Sequence, residues 1–458
     1  MFLRPALWES AFFCIFVPMR KLFLLLACLL PLSVRAQENS RFTLDADFFT
    51  RGEVRRGGTG APDGAGADGD FAAFILGRTR LGAQYDWWAQ ASAEKPVVQL
   101  KVDAQYFGTW GGKSTGDLSV YEAWLQLNFG RGFFARLGRQ NLSYDDQRIF
   151  GSDDWSMTGL SHDALKLGYE RGGHKLHTFF AFNQNLMNIG GGTYYVDGLQ
   201  PYKAMEALWY HYDVPSFPLG ISLLAANMGM QGGTKNVDEK TFQQQILGAH
   251  LRFHPSQWNV EAAYYHQLGK AIYGADALPI NAWMAAVKAV FSPLPAWSFR
   301  LGYDFLSGDE AFPVPGQGQM GLIQHKYVGG FSSLYGSSHN FYGAMDFFYV
   351  RAYVNGFSPG LQNAFVGVNW RPVPGLSVDA AYHFLATSVK LLRLEMPLGH
   401  EVEMAVSYSI NKWMSVSAGY TFMHGTDTMV ALKRSGEKKR LHWGWIMFRA
   451  APRLLNVR

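Results

Sequence analysis

The sequence predicts an all-β fold: a transmembrane antiparallel β-barrel of about 18 strands with short periplasmic turns and long extracellular loops. Three observations predict it. Stretches in which apolar and polar residues alternate recur almost end to end. The connections between them switch regularly between tight turns and long loops. Beyond the first 36 residues no run of 18 consecutive apolar residues occurs, so no helical span is expected.

The chain has 458 residues, of which 50 are glycine, 15% aromatic and only 17% charged. Residues 1–36 read as a leader with a secretory signal peptide, with Met19 as the better start. Arg20 and Lys21 form its charged region, Leu22 to Leu32 its apolar run, and Val34-Arg35-Ala36 its cleavage site. Both cysteines, Cys14 and Cys28, lie in that leader, so a secreted domain stapled by disulfides is excluded. The leader also carries Arg4, Arg20, Lys21 and Arg35 against the single acid Glu9. The remainder, 37–458, is therefore close to neutral, and nothing points to nucleic acid.

Strands are expected near 41–51, 72–86, 96–108, 119–129, 133–142, 163–170, 175–184, 204–213, 219–228, 242–253, 257–268, 280–291, 296–306, 363–371, 376–387, 400–410, 413–423 and 441–450. Between them stand tight links such as GRG (130–132), RGGH (171–174), PSFP (215–218), HPSQ (254–257), PVPG (372–375) and NK (411–412). Gly and Pro supply the dihedrals these turns need. The other links are long: 52–70, 143–162, 185–203, 229–241, 307–362 and 424–440. Trp87, Trp88, Phe129, Phe133, Tyr169, Phe253, Trp258, Trp297, Trp370 and Trp413 gather near the tight-turn ends, as an interfacial girdle would.

The strand VVQLKVDAQYF (97–107) shows what is at stake in the alternation. In a soluble sandwich Val98, Leu100, Val102 and Tyr106 would form the core. In a barrel they face lipid, while Gln99, Lys101, Asp103 and Gln105 face a watery bore. The sorted loop lengths favour the barrel, which closes because lipid cannot satisfy an open sheet edge.

No enzyme is expected. GQGQMG (316–321) matches a nucleotide-loop spacing but sits in a Pro-rich stretch without a following helix, and no nucleophile pattern occurs. His174 and His177 have a hairpin spacing and are not taken as metal ligands. Asp63, Asp68 and Asp70, and Asp153 with Asp154, read as solvated loop acids rather than a Ca²⁺ site, so no metal or cofactor is expected. The chemistry lies in inward charge. Strand phase directs Arg78, Arg80, Lys101, Arg136, Lys166, Lys175, Arg252, Lys288 and Arg300 into the bore. Asp103, Glu122, Glu170, Glu261, Asp304, Asp379, Glu401 and Glu403 share it. Such a wall either selects ions or braces itself by pairing.

The stretch RLGRQNLSYDDQRIFGSDDWSMTGLSHDALKLGYE (136–170) resembles the alginate-export porin family of Gram-negative outer membranes. The resemblance runs through Gly138-Arg139-Gln140, Asp145-Asp146 and Trp155. LYGSSHNFYGAMDFFYV (334–350), GLQNAF (360–365) and the C-terminal WGWIMFRAAP are similar to further family blocks. It implies an outer-membrane, monomeric barrel that passively exports anionic polysaccharide through a basic constriction. The expected pore lining is Arg78, Arg80, Lys101, Arg136, Arg139, Asp145, Asp146, Arg148, Lys166, Arg252 and Arg300. Asp145 and Asp146 would orient the arginines. The motif places Arg139 in the pore, whereas strand phase places it outside; a bulge at Gly138 would reconcile them. Loops 143–162 and 307–362 are expected to fold inward or cap the mouth. Outer-membrane lipid and lipopolysaccharide are the expected surroundings. The alternative is a general diffusion porin with weak charge selectivity.

Overall fold

The computed structural model describes residues 39–56, 71–91, 93–112, 116–183, 202–234, 238–273, 276–309, 326–348, 358–391, 394–433 and 439–458. The leader, the GQGQMG stretch and Asp63, Asp68 and Asp70 lie outside them.

Eighteen long strands follow in chain order: β1 (Ser40–Arg56), β2 (Ala72–Trp87), β3 (Val98–Thr109), β4 (Asp117–Gly130), β5 (Phe133–Gln140), β6 (His162–Arg171), β7 (His174–Phe182), β8 (Tyr202–Asp213) and β9 (Leu219–Thr234), then β10 (Asp238–Phe253), β11 (Trp258–Tyr273), β12 (Ala282–Leu294), β13 (Trp297–Leu306), β14 (Leu361–Trp370), β15 (Leu376–Ala386), β16 (Pro397–Asn411), β17 (Met414–Gly425) and β18 (Arg440–Ala450). Each pairs antiparallel with its neighbours in sequence, and β1 pairs with both β2 and β18, which closes the sheet. Closure is the physical requirement, because lipid offers no partner to an edge. A helix, α1 (Asp427–Lys433), fills the link between β17 and β18.

The predicted strands are all present, and several are longer than expected. The stretch 229–241 is not a loop: β9 and β10 continue through it as a paired hairpin, Met230 opposite Phe242 and Thr234 opposite Asp238. A tilted strand of 16 residues rises about 40 Å, while the apolar band needs only about 25 Å. Its upper part stands outside lipid, so the greasy alternation that marks a strand fades there although pairing persists. Residues Arg453–Val457 also extend the sheet beyond the predicted end, pairing with β1 after a break at Ala451-Pro452.

The faces sort as the alternation requires. Leu100, Val102 and Tyr106 are exposed on the outside, as are Leu301, Val402, Met404, Val406 and Tyr420, while Gln105 is buried inside. A bulge in β4 lets Tyr121 and Glu122 both point inward and shifts the register beyond Asp103. Of the aromatics at the tight-turn ends, Phe129, Phe133, Trp258, Trp370 and Trp413 are exposed. Phe133 packs on Tyr169 at 4.7 Å and Trp297 on Trp370 at 5.6 Å. His174 and His177 lie on opposite faces. The His174 ring hydrogen-bonds the outward Tyr210 hydroxyl, and His177 is buried inside beside Glu170.

The interior is not an open tube. Residues 141–161 and 326–348 fold into it, and Phe150 bridges Tyr335 between them. Leu142, Ile149, Phe150, Tyr342, Phe347 and Phe348 are all nearly inaccessible. They pack with inward residues of β7 to β11, such as Phe179, Trp209 and Tyr265. The two segments hold Asp145, Gln147, Asp153, Leu334, Tyr342 and Asp346 at φ between 44° and 65°. Six side-chain-bearing residues in the left-handed region persist only where surrounding contacts over-determine them.

Candidate functional site: the inward wall and its shelf

The segment 141–161 crosses the bore from one wall to the other. Near its start, Asp145 accepts a hydrogen bond from Trp209 Nε1 of β8 at 3.1 Å. Nine residues later, Asp154 meets Arg80 at 2.7 Å and Arg78 at 3.1 Å on β2, and Arg449 at 3.1 Å on β18. The second segment, 326–348, lies against it. Ser338 donates to Asp153, and the His339 ring stacks on Trp155 at 3.9 Å. Its far side reaches β16, where Ala344 and Met345 donate their N–H groups to Glu403 and Glu401. Together they form a shelf across the channel.

Arg148 is the central fastener of that shelf. Its guanidinium meets Asp304 of β13 at 3.1 Å, Asp146 at 3.2 Å and the Tyr342 hydroxyl at 2.9 Å, and it lies 4.2 Å from the Phe341 ring. Burial opposes its charge, but Tyr342, Asp304 and Asp146 hold its pKa well above the ordinary value. Burial likewise pushes the Asp154 carboxyl up, yet Arg78, Arg449 and Arg80 pull it below the usual carboxylate range. Asp145 ends up raised, because burial outweighs the help from Ser222, His250 and Trp209.

Most inward cations are already neutralised. Arg78 pairs with Asp47 as well as Asp154, and Lys101 with Asp103 and Glu122. Lys288 meets Glu261 at 2.8 Å, and Arg300 grips Asp379 through two bonds of 2.6 and 2.7 Å. Bracing therefore accounts for the larger part of the inward charge.

Arg136 and Lys166 are different. They stand directly opposite each other on β5 and β6, both facing inward. Arg136 donates Nε–H to Gln126 and rests 4.0 Å from the Trp124 ring, which leaves its four terminal N–H donors without a carboxylate among the described residues. Lys166 has no carboxylate contact either, and its ammonium lies 6.0 Å from the Phe134 ring. The nearby acids Glu122 and Glu170 are engaged elsewhere, with Lys101 and His177. Arg252, lower on β10, bonds Asn259 and has no carboxylate partner among the described residues. Beneath the shelf a cavity of ≈ 270 Å³ opens between Arg148, Glu261, Lys288, Arg300, Asp304 and Glu403.

Several expected positions are corrected. Arg139 does not line the pore: Gly138 takes φ 121° without shifting the register, so Arg139 stays outside, pairing with Asp163 at 2.7 Å. Asp145 and Asp146 do not orient Arg78, Arg80, Arg136 or Arg139. Asp145 serves Trp209 and Asp146 serves Arg148, while Asp154 and Asp47 hold the arginines of β2. Asp153 and Asp154 are not solvated loop acids but anchors of the shelf. Asp47, Arg51 and Arg449 add to the inward charge on β1 and β18 by their strand phase, and Glu53 joins them because β1 runs on to Arg56 through the start of the stretch expected as a loop. The roles of Trp155 and Tyr342 depend on contacts across the bore that carry no local signal.

The family described as alginate export matches residues 114–386, more than half of the chain. The chain belongs to the alginate export family. No curated protein matches it. Among solved structures it is similar to OccAB1 of Acinetobacter baumannii, at 11% identity and TM-score 0.59, covering 90% of this chain and 97% of that one. OccK9 (OpdG) of Pseudomonas aeruginosa is similar at 12% identity and TM-score 0.56, covering 90% and 98%. OccK2 (OpdF) of the same organism, solved in complex with glucuronate, is similar at 13% identity and TM-score 0.56, also covering 90% and 98%. These likenesses carry the fold. With the family and the closed barrel they make this alginate-export chain a channel of the bacterial outer membrane.

Proposed function

We propose that the channel passes anionic oligo- or polysaccharide of the uronate type, with Arg136 and Lys166 as the carboxylate-attracting step in the bore. The observation that carries this reading is the cross-strand pairing of two cations with no carboxylate partner among the described residues, in a wall where the other charges are mostly matched. Two like charges directly opposite each other are unfavourable unless an anion visits. In a narrow passage such a step attracts anions and repels cations. The alginate export family and the glucuronate held by OccK2 are consistent with a uronate. The bore is enclosed by one chain, so a single barrel suffices for transport.

The shelf narrows the passage, and the polymer passes once the shelf yields. The second reading, a general porin of weak selectivity, draws on the extent of pairing between the other inward charges. Reversal potentials in planar bilayers under a salt gradient separate the two. The proposal expects anion preference that falls in Arg136→Gln/Lys166→Gln. A cation-preferring wild type, or a double variant with unchanged reversal potential, overturns it.

A further inference from the structure

Beneath the shelf, the wall from β12 to β16 carries an aromatic ring that the charge step does not use. Phe365 of β14 faces inward and is half-buried, yet it stands apart from the packed core. A phenyl ring left to a watery bore is unfavourable unless a ligand covers it. Its partner across the ladder is Gly302 of β13; two residues on, Gly367 of β14 faces Arg300 of β13. Each large side chain lies down over the glycine opposite it. A Cβ on Gly302 would run into the Phe365 ring, and one on Gly367 into the Arg300 guanidinium. This reciprocal arrangement keeps both side chains against the wall and leaves the cavity of ≈ 270 Å³ open in front of them. On the other side of Phe365 stands His383 of β15, its ring near-parallel at 5.3 Å. His383 is fixed by Asn363 at 2.8 Å and Glu403 at 3.0 Å, and Asn363 donates in turn to Asp304 at 2.8 Å. The floor is therefore held in place before any ligand arrives. Lys288 of β12 and Asn340 and Phe341 of the shelf close further sides.

The lining offers mixed polar chemistry with its charges already matched. Arg148 has Asp304, Lys288 has Glu261 and Arg300 has Asp379. A carboxylate ligand would meet no unspent lysine or arginine there. Hydroxyls would meet partners of both kinds, because a paired ammonium or guanidinium keeps further N–H donors and a paired carboxylate keeps further lone pairs. The negative face of the Phe365 ring adds a demand for C–H groups. The volume lies near the lower limit of about 300 Å³ for small-molecule sites, which is room for one ring and not for a chain segment.

We propose that this cavity binds a single uncharged pyranose ring, with its C–H face on Phe365 and its hydroxyls shared among Lys288, Arg300, Glu403 and Asn340. An open-chain polyol has the hydroxyls but no flat face. A uronate has the face but brings a charge that the matched lining does not balance. The site is separate from Arg136 and Lys166 on β5 and β6 and does not depend on the anion preference proposed for them.

The test uses the full barrel in deuterated detergent, with folding checked by heat-modifiable gel mobility. Saturation-transfer NMR titrates three probes: methyl β-D-glucopyranoside, D-sorbitol and D-glucuronate. The glucoside is expected to bind, with its ring C–H protons most strongly saturated, and the other two to bind more weakly. Covering about 50 Å² of phenyl face is worth about tenfold in affinity. Phe365→Ala is therefore expected to hold the glucoside about tenfold more weakly than wild type. Phe365→Leu keeps an apolar side chain without a flat face, and is expected to weaken binding in the same direction should the alanine variant fold poorly. No saturation of the glucoside, equal or tighter binding of sorbitol or glucuronate, or unchanged affinity in a folded Phe365 variant would each overturn the proposal. Reversal potential remains the readout of the Arg136–Lys166 step, so the two readings fail separately.

Discussion

Replacing Arg148 by alanine tests whether the shelf is a docked element held by one buried cation. The substitution removes the guanidinium from Asp304, Asp146 and the Tyr342 hydroxyl at once. Asp304 is 3% exposed, so its carboxylate keeps the Asn363 amide but is left without a matching charge at a nearly inaccessible position. Removing one partner of a buried ion pair costs about 3–5 kcal/mol. That cost falls on docking rather than on the barrel, because the strands keep every ladder hydrogen bond whether the shelf is docked or not. A penalty of about 3 kcal/mol raises the undocked fraction more than a hundredfold. Single-channel conductance is expected to rise in Arg148→Ala, with longer or larger open events. Hydrogen exchange over 143–160 is expected to accelerate, while β9 to β11 stay protected. Arg148→Lys keeps the charge but loses the planar contact with Phe341 and part of the bonding to Tyr342, and should fall between the two. Unchanged conductance and unchanged exchange in Arg148→Ala would refute the idea that this contact holds the shelf.

Other outcomes follow from the same geometry. Asp145 has a raised pKa in the docked shelf, so docking there is strongest below about pH 3.9, the free-carboxylate value, and weakens as pH rises through the raised one; Asp145→Asn should flatten that dependence in an exchange-versus-pH series. Asp154 has a lowered pKa, so its contribution is complete above the free-carboxylate value and is lost as pH falls through the lowered one; Asp154→Asn should loosen the shelf at neutral pH in the same assay. Arg139→Gln breaks a half-exposed pair on the outer face, so it should change stability by less than about 1 kcal/mol and leave reversal potential untouched. Gly138→Ala would set a Cβ 2.2 Å from the Ala123 carbonyl oxygen at φ 121°, and should lower the yield of heat-modifiable barrel sharply.

Much of the architecture was legible along the chain. A period of two survives in every strand that touches lipid, because lipid tolerates only apolar side chains and the bore only wettable ones. Leu100, Val102 and Tyr106 show this on β3, and Met404 and Val406 on β16. Where strands leave the bilayer, as in the upper part of β9 and β10, the constraint lapses and the paired hairpin has the pattern of a loop. At Arg139, phase was the better guide than the motif, since the ladder continues through Gly138 without a slip.

The sequence by itself determined that this chain is an 18-stranded barrel, which face of each strand meets water, and which end carries the long loops. Those properties are local, set by neighbours one and two residues apart and by loop length. Only the tertiary structure decided which inward charges are spent on one another and which remain for a solute. Arg148 finds Tyr342 194 residues away, and Asp154 finds Arg80 across 74. No pattern along the chain encodes such meetings. They arise because closure brings distant strands round a common bore, where an unmatched charge is costly enough to draw the loops inward.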